Sequence, residues 1–301
     1  MIYTVTLNPA IDYVVRLATP MQAGAVNRAA GEDYVLGGKG INVSGVLAEL
    51  GCPSVALGFV AGQTGVWLEA GLRAQGLQTD FVHLAQGMTR INVKVKDGQE
   101  TELNGIGPVI PDEAMQALQQ KLAALQSQDV LVLAGSVPAS LPGNTYEVLL
   151  SGLRNKQVRT VVDASGALLA KVLPLTPFLI KPNREELAEL VGRVLPDEEA
   201  VAQAARELQQ QGARNVLVSM AGDGALLLDE TGALHRSAAP QGKVVNSVGA
   251  GDSMLAGFVA GFLQTDSYQE ALRLGTACGS ATAFSLGLAR KAQIDALLAQ
   301  L

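Results

Sequence analysis

Apolar and polar positions along this chain follow two periods. Short apolar runs recur, and between them lie longer segments in which apolar residues return every three or four positions. Tyr3 to Leu7 is rich in β-branched residues and is stopped by Asn8-Pro9, which reads as a strand. Tyr13 to Leu17 is a second extended piece, and Val55 to Val60 a buried strand. From Ile41 a helix is predicted through Val46, Leu47 and Leu50, with Gly51 as its stop. Arg90 to Lys96 alternates strictly, Asp97-Gly98 supplies a tight turn, and Glu100 to Asn104 runs back. Past Gly107-Pro108 strands and helices alternate. Helices are expected over Asp112–Gln126, Tyr146–Asn155 and Asp197–Gln211. Strands are expected over Val130–Leu133, Thr160–Val162, Phe178–Ile180, Asn215–Ser219 and Ala225–Leu228.

Solidly apolar strands alternating with helices imply βαβ units and an α/β fold, with a mostly parallel central sheet flanked by helices. The clean alternation at Arg90–Lys96 implies a different sheet with one wet face. Residues 1–11, 36–84 and 108–301 are therefore read as the core, and 12–35 and 85–107 as a small antiparallel β lid. The lid's apolar face, carrying Ile91, Val93 and Val95, is expected to be exposed unless a partner covers it. Ligands of parallel sheets lie beyond the carboxyl ends of the strands. The polar clusters Asn8 to Asp12, Gly135-Ser136, Asp163, Lys181 to Glu186 and Ser219 to Gly224 follow strands, so they are expected on one edge.

Composition narrows the classes. The 301 residues, 48% of them hydrophobic and 33 of them glycine, suit one large domain with a small appendage. A net charge of −6, no basic run and 4% aromatics argue against nucleic acid and anionic membranes as partners. Cys52 and Cys278 form no CxxC, His83 and His235 are isolated, and Ser-His-Asp chemistry has little to build on. The first residues lack the features of a signal peptide, and no apolar run reaches membrane-spanning length, so a cytoplasmic protein is expected. The GxxxG of Gly257 and Gly261 is read as close helix packing.

The stretch with the most chemistry is Asn246-Ser247-Val248-Gly249-Ala250-Gly251-Asp252-Ser253. It precedes a run in which Leu255, Phe258, Val259 and Phe262 recur at helical spacing. Gly249 and Gly251 allow backbone N–H groups to face one concavity, at the positive end of a helix and beside an acid. Taken alone, Asp252 serves equally well as a helix cap. No GxxxxGK[ST], no HExxH and no GxGxxG after the first strand is present, and the last absence counts against a dinucleotide oxidoreductase.

Gly37-Gly38-Lys39-Gly40-Ile41-Asn42-Val43 and Asn246 to Asp252 resemble, in order and separation, the two signatures of the ribokinase-like, or PfkB, family of sugar kinases. Thr6 to Asp12 and Thr89 to Lys94 resemble its phosphosugar kinases. The resemblance implies a ribokinase-like fold and ATP-dependent phosphorylation of a sugar hydroxyl, with Asp252 as the base and Gly249, Ala250 and Gly251 as the anion hole. Fructose 1-phosphate is the leading acceptor, ahead of tagatose 6-phosphate and fructose 6-phosphate. A non-catalytic sugar-phosphate sensor is the alternative from another class, disfavoured because Asp252, Asn183 and Glu186 are all present.

For the sugar, Asp12, Gly38, Lys39, Asn42, Arg90 and Asn92 are the candidates, with Glu102, Asn104 and Ser136 weaker and Arg28 weaker still. Lys39 and Arg90 are assigned to the substrate phosphate; Lys94 and Lys96 are read as the hairpin's wet face. For ATP the candidates are Lys181, Asn183, Glu186, Ser219, Gly222, Gly224 and Ser247, with Mg²⁺ held by Glu186 through water. K⁺ is an optional ion in the family, and Thr282, Ser285 and Gly287 offer it no charged ligand. A homodimer through the lid is expected by resemblance.

Overall fold

The computed structural model describes all residues, 1–301. Along the chain run β1 (Ile2–Thr6), β2 (Ala10–Leu17), β3 (Ala29–Gly37), α1 (Lys39–Glu49), β4 (Ser54–Ala61), α2 (Gly62–Ala74), β5 (Gln78–Thr79), β6 (Val82–Leu84), β7 (Arg90–Lys96) and β8 (Glu100–Leu103). There follow α3 (Asp112–Ala123), β9 (Val130–Ala134), α4 (Thr145–Ser151), β10 (Arg159–Asp163), α5 (Gly166–Val172), β11 (Leu179–Ile180), α6 (Arg184–Val191) and α7 (Glu198–Gln210). The chain ends with β12 (Asn215–Ser219), β13 (Ala225–Leu228), β14 (Leu234–Ser237), α8 (Ala250–Thr265), α9 (Tyr268–Ala283) and α10 (Lys291–Leu298).

The central sheet has the order β14-β13-β12-β11-β10-β9-β1-β4-β5, with β6 also on β4. From β12 to β5 every pairing is parallel; only the β12–β13 and β13–β14 pairings, at one edge, are antiparallel. Two apolar clusters cover its faces. One holds Leu131, Leu133 and Val162 with α3 to α7; the other holds Val130, Val132 and Val161 with α1, α8, α9 and α10. Alternate residues of β9 and β10 thus face opposite helical layers, which is why those strands read as unbroken apolar runs.

A second sheet has the order β3-β2-β7-β8. Its outer pairings are antiparallel, while the central β2–β7 pair is parallel, with Asp12 opposite Asn92 and Val14 opposite Lys94. Three residues separate β1 from β2, and Gly38 alone separates β3 from α1. This small sheet is therefore tied by short links to the strands and helix that carry the core edge.

The apolar face of the small sheet departs from expectation. Ile91 packs with Ile11, Leu36 and Leu72, and Val95 is buried. Tyr34, Val35, Leu103 and Ile106 are exposed instead. Tyr34 meets Trp67 of α2 edge-on, with ring centroids 4.9 Å apart. The predicted Tyr146–Asn155 helix ends earlier, at Ser151, and turns follow it. Helices α2, α5, α9 and α10 and strands β3, β5, β6 and β14 were not legible from periodicity. Both histidines pair with scaffold carboxylates: His83 Nε2 with Glu69 at 2.9 Å, and His235 Nε2 with Asp229 at 2.7 Å.

The glycines of α8 and α9 let those helices touch through backbone. A Cβ at Gly257 would lie 2.7 Å from both Leu274 O and Cys278 Sγ, and one at Gly261 would lie 2.9 Å from Ala271 Cα. Close packing of the GxxxG face is thus what the structure uses it for. Replacing Gly257 by Val forces the pair apart and is expected to cost about 1–3 kcal/mol, as overpacking does. A lowered urea midpoint at unchanged slope is the expected result; an unchanged midpoint would show that the contact carries no stability.

Candidate active site

The carboxyl ends of β1, β9, β10, β11 and β12 lie side by side, as the sheet order requires. Their following residues are hydrogen-bonded to one another. Gly135 N–H donates to Asp163 O at 3.1 Å, Lys181 N–H to Val162 O at 3.3 Å, and Ser219 N–H to Pro182 O at 3.2 Å. Asn183 forms a bridge with Ser219. The polar clusters predicted for one edge do gather there.

Asp252 lies in the first turn of α8 and is only 5% exposed. Gly249 caps that helix with φ +80°, a left-handed conformation that favours glycine. Ala250 N–H donates to Ser247 O at 3.2 Å, whereas the N–H groups of Gly249, Gly251 and Asp252 have no acceptor in the protein. These unpaired donors sit at the positive end of a sixteen-residue helix, which suits an anion. Of the predicted hole, Ala250 is the member whose N–H is already used.

Asn42 Nδ2 donates to Asp252 Oδ2 at 2.8 Å, joining the two glycine-rich signatures. Asn42 is delivered by α1, whose start presses on β1. A Cβ at Gly38 would meet Thr6 Cγ2 at 2.5 Å, and one at Gly40 would meet Thr6 Oγ1 at 2.7 Å. Ile41 N–H donates to that same Oγ1 at 3.1 Å. The glycines are required because the helix N-terminus and the strand end touch. Gly251 is tight against a movable partner: its Cβ would lie 3.0 Å from Lys181 Nζ.

Between these elements stands Asp163, 2% exposed, with Lys181 Nζ at 3.4 Å from Oδ1 and Lys39 Nζ at 3.5 Å from Oδ2. Its Oδ2 is buried and has no hydrogen-bond partner. Sequence reasoning put Asp163 on this edge but gave it no role. The available signal was an acid ending an otherwise apolar parallel strand.

Burial raises the Asp252 carboxyl to a pKa of about 6, helped by the nearby Asp163 charge and opposed by the Asn42 hydrogen bond and by Lys39 and Lys181. For Lys39 burial acts to lower the pKa, but Asp163, Asp252 and Glu186 outweigh it and the net shift is upward. Lys39 thus belongs electrostatically to the carboxylates of the α8 end.

Asn183 and Glu186 form a reciprocal capping box at the start of α6. Asn183 Oδ1 accepts from Glu186 N–H at 2.7 Å, and Glu186 Oε2 accepts from Asn183 N–H at 2.9 Å. The motif therefore caps α6, and it leaves Glu186 Oε1 uncommitted. Gly224 is explained by its turn, with φ +87° and no room beside Ser237 O, whereas Gly222 meets open space. Ser136 and Ser247 are exposed at the edge. Thr282 Oγ1 is engaged by Ser253 Oγ at 2.7 Å and Ala289 N–H at 2.9 Å, and Ser285 Oγ donates to Ala281 O.

A second group occupies one face of the small sheet. Asn92 Nδ2 donates to Asp12 Oδ1 at 2.7 Å and Gly105 N–H to Asn92 Oδ1 at 3.1 Å. Arg90 Nε donates to Asn8 O at 3.2 Å, and burial holds its pKa below the usual value against the pull of Asp12. Lys94, expected on the wet face, is instead well covered, with Nζ 2.8 Å from Glu102 Oε1 and 4.0 Å from Asp12 Oδ2. Lys96 remains a surface residue paired with Glu100. Asn104 Nδ2 reaches Glu102 at 3.4 Å, and Arg28 lies in an exposed stretch.

A parallel sheet whose edge carries a buried acid at a helix N-terminus, two lysines and a β-sheet flap is the arrangement of a phosphotransferase. The chain belongs to the pfkB family of carbohydrate kinases, whose model matches residues 5–294. It is 47% identical over 298 residues to a 1-phosphofructokinase of Bacillus subtilis, covering 99% of this chain and 97% of that protein. It is 38% identical over 302 residues to a D-tagatose-1-phosphate kinase of Bacillus licheniformis, covering 100% and 98%. Its fold superposes on phosphofructokinase-2 from Escherichia coli, solved in complex with substrates and products. There the TM-score is 0.92 at 29% identity, covering 99% and 98% of the two chains.

If Asp252 works as its carboxylate, kcat/KM should fall tenfold per pH unit below about pH 6 and level off above it. The sign follows from a raised pKa: the basic form exists above it and is lost as pH falls. A midpoint near that of an exposed aspartate would contradict a buried base. Replacing Asp252 by Ala should lower kcat by at least ~100-fold with little change in ATP affinity; near-normal turnover would remove it from the chemistry.

Proposed function

We propose that this kinase transfers the γ-phosphoryl group of ATP to the C6 hydroxyl of fructose 1-phosphate, giving fructose 1,6-bisphosphate and ADP. The observation that carries the reading is the buried Asp252 beside unpaired N–H groups at the start of α8. The C6 oxygen attacks γ-phosphorus, the bond to the β,γ-bridging oxygen breaks, and the hydroxyl proton passes to Asp252. The N–H groups of Gly249 and Gly251, with Lys39 and Lys181, stabilise the charge on the transferring group. Lys39, expected on the sugar phosphate, serves this centre instead, since its Nζ stands 3.5 Å from Asp163 Oδ2 and feels Asp252 and Glu186.

No cluster of three or more metal-ligating acids, histidines or cysteines exists, so Mg²⁺ is to be held mainly by the nucleotide phosphates. Two carboxylate oxygens without hydrogen bonds would fit its hydration shell: Asp163 Oδ2, faced only by the Lys39 ammonium at 3.5 Å, and Glu186 Oε1. The bound ion supplies charge neutralisation on the β- and γ-phosphates.

Sugar recognition falls to Asp12, Asn42, Arg90 and Asn92, with Arg90 on the phosphate at the end remote from Asp252. The relatives compared by sequence carry names of C1-phosphorylated ketohexoses, which favours a C1 phosphate and a C6 acceptor. Tagatose 1-phosphate is therefore the second reading, ahead of the 6-phosphates. The lid of residues 12–35 and 85–107 closes over the sugar and excludes water. Its exposed Tyr34 and Leu103, in register with Tyr13 and Val93 on one face, favour a second copy as cover, hence a homodimer. No helix is long and apolar enough to cross a membrane, and a cytoplasmic enzyme fits the reading.

In a coupled ADP-release assay kcat/KM should be highest for fructose 1-phosphate, followed by tagatose 1-phosphate; a preference for fructose 6-phosphate would overturn the C1 assignment. Arg90→Ala should raise KM for the phosphosugar by about 10–100-fold, the worth of a charge-assisted pair, and leave KM for ATP nearly unchanged. Equal effects on both substrates would count against the phosphate role.

A further inference from the structure

Lys94 and Lys96 project from the same face of β7 and each faces a glutamate across the same hairpin, yet they differ in kind. Lys96 keeps 43% of its side chain in solvent at 3.1 Å from Glu100; Lys94 keeps 13% at 2.8 Å from Glu102. The difference comes from the inner side, where Lys94 Nζ stands 4.0 Å from Asp12 Oδ2. Asp12 Oδ1 is meanwhile held by Asn92 at 2.7 Å. Both oxygens of the Asp12 carboxylate are thus faced by side chains of β7. Lys94 itself is fixed by Glu102 on the outermost strand, β8.

We propose that Lys94 is a positioning residue, a strut that runs from Glu102 to Asp12 and fixes the carboxylate on which the sugar hydroxyls are received. The proposal rests on the reading of Asp12 as a sugar-binding group. The terminal torsion of aspartate is broad and two-fold, so one hydrogen bond leaves its second oxygen free to swing. A cation 4 Å away, itself held by a second acid, removes that freedom. It also offsets the negative charge of Asp12, which would otherwise repel an anionic phosphosugar. Lys94 therefore acts through Asp12 and not by touching the substrate.

This mode of action predicts non-additivity. Lys94→Met should weaken phosphosugar binding about tenfold by titration calorimetry, with KM raised in step, kcat changed less than threefold, and KM for ATP unchanged. Lys94→Arg should recover most of the loss, and Glu102→Gln should reproduce part of it without adding to Lys94→Met. On an Asp12→Asn background Lys94→Met should have almost no further effect. A full tenfold loss on that background would show that Lys94 meets the substrate directly and would overturn the proposal. So would unaltered binding by Lys94→Met or Glu102→Gln. The wild-type enzyme is titrated first with fructose 1-phosphate, tagatose 1-phosphate and fructose 6-phosphate. Failure of the first alone revises the substrate, and the cycle is then run with the sugar that binds.

Discussion

The structure depends on keeping two carboxylates, Asp163 and Asp252, nearly dry on one edge of one sheet. Taking a charged carboxylate out of water costs several kcal/mol unless opposite charge and hydrogen bonds replace the water. Here the replacement comes from four directions: Lys39 at the start of α1, Asn42 one turn on, Lys181 after β11, and the N-terminus of α8. These elements must converge, and the parallel sheet order makes them converge. The compensation is incomplete by design of the geometry, since Asp163 Oδ2 lacks a hydrogen bond and Asp252 remains a weaker acid than an exposed aspartate. That imbalance brings the Asp252 carboxyl pKa toward neutrality, as the proposed role of proton acceptor needs.

The two glycine-rich signatures express a single requirement. The first lets α1 begin against Thr6, which brings Lys39 and Asn42 inward; the second lets α8 begin against Lys181. A side chain at Gly38 or Gly40 would push the start of α1 outward and separate Asn42 from Asp252, whereas one at Gly251 would displace the Lys181 ammonium. The short hydrogen bond between those two residues, 210 positions apart in sequence, measures how closely the signatures meet.

Much of this was legible in the chain because the physics was local. Apolar strands with helices between them gave the parallel sheet, and polar residues after strand ends gave the edge. Three things were hidden. The parallel pairing of β2 with β7 joins segments some 80 residues apart, and nothing local encodes it. The role of Asp163 depends on which strands are neighbours, because Lys39 and Lys181 reach it from opposite sides. The burial of Lys94 could not be told from that of Lys96, since both obey the same alternation and only Asp12 on a distant strand separates them.

The division between core and small sheet has a mechanical consequence. The proposed chemistry lies at strand ends of the core, while Asp12, Arg90 and Asn92 ride on the small sheet. Between Thr6, which supports the start of α1, and Asp12 there are only five residues, most of them buried. Gly38 alone links β3 to the helix that carries Lys39 and Asn42. These short links tie the small sheet to the start of α1, yet that start is itself held from the core side, by Thr6 Oγ1 on Ile41 N–H at 3.1 Å. The Asn42–Asp252 hydrogen bond, 2.8 Å, stands on that support and is formed by the chain alone, so it does not wait on how Asp12 is occupied. On the proposed reading, discrimination among ketohexose phosphates then falls to the small sheet in binding, while the core end serves any sugar that seats its hydroxyl beside Asp252.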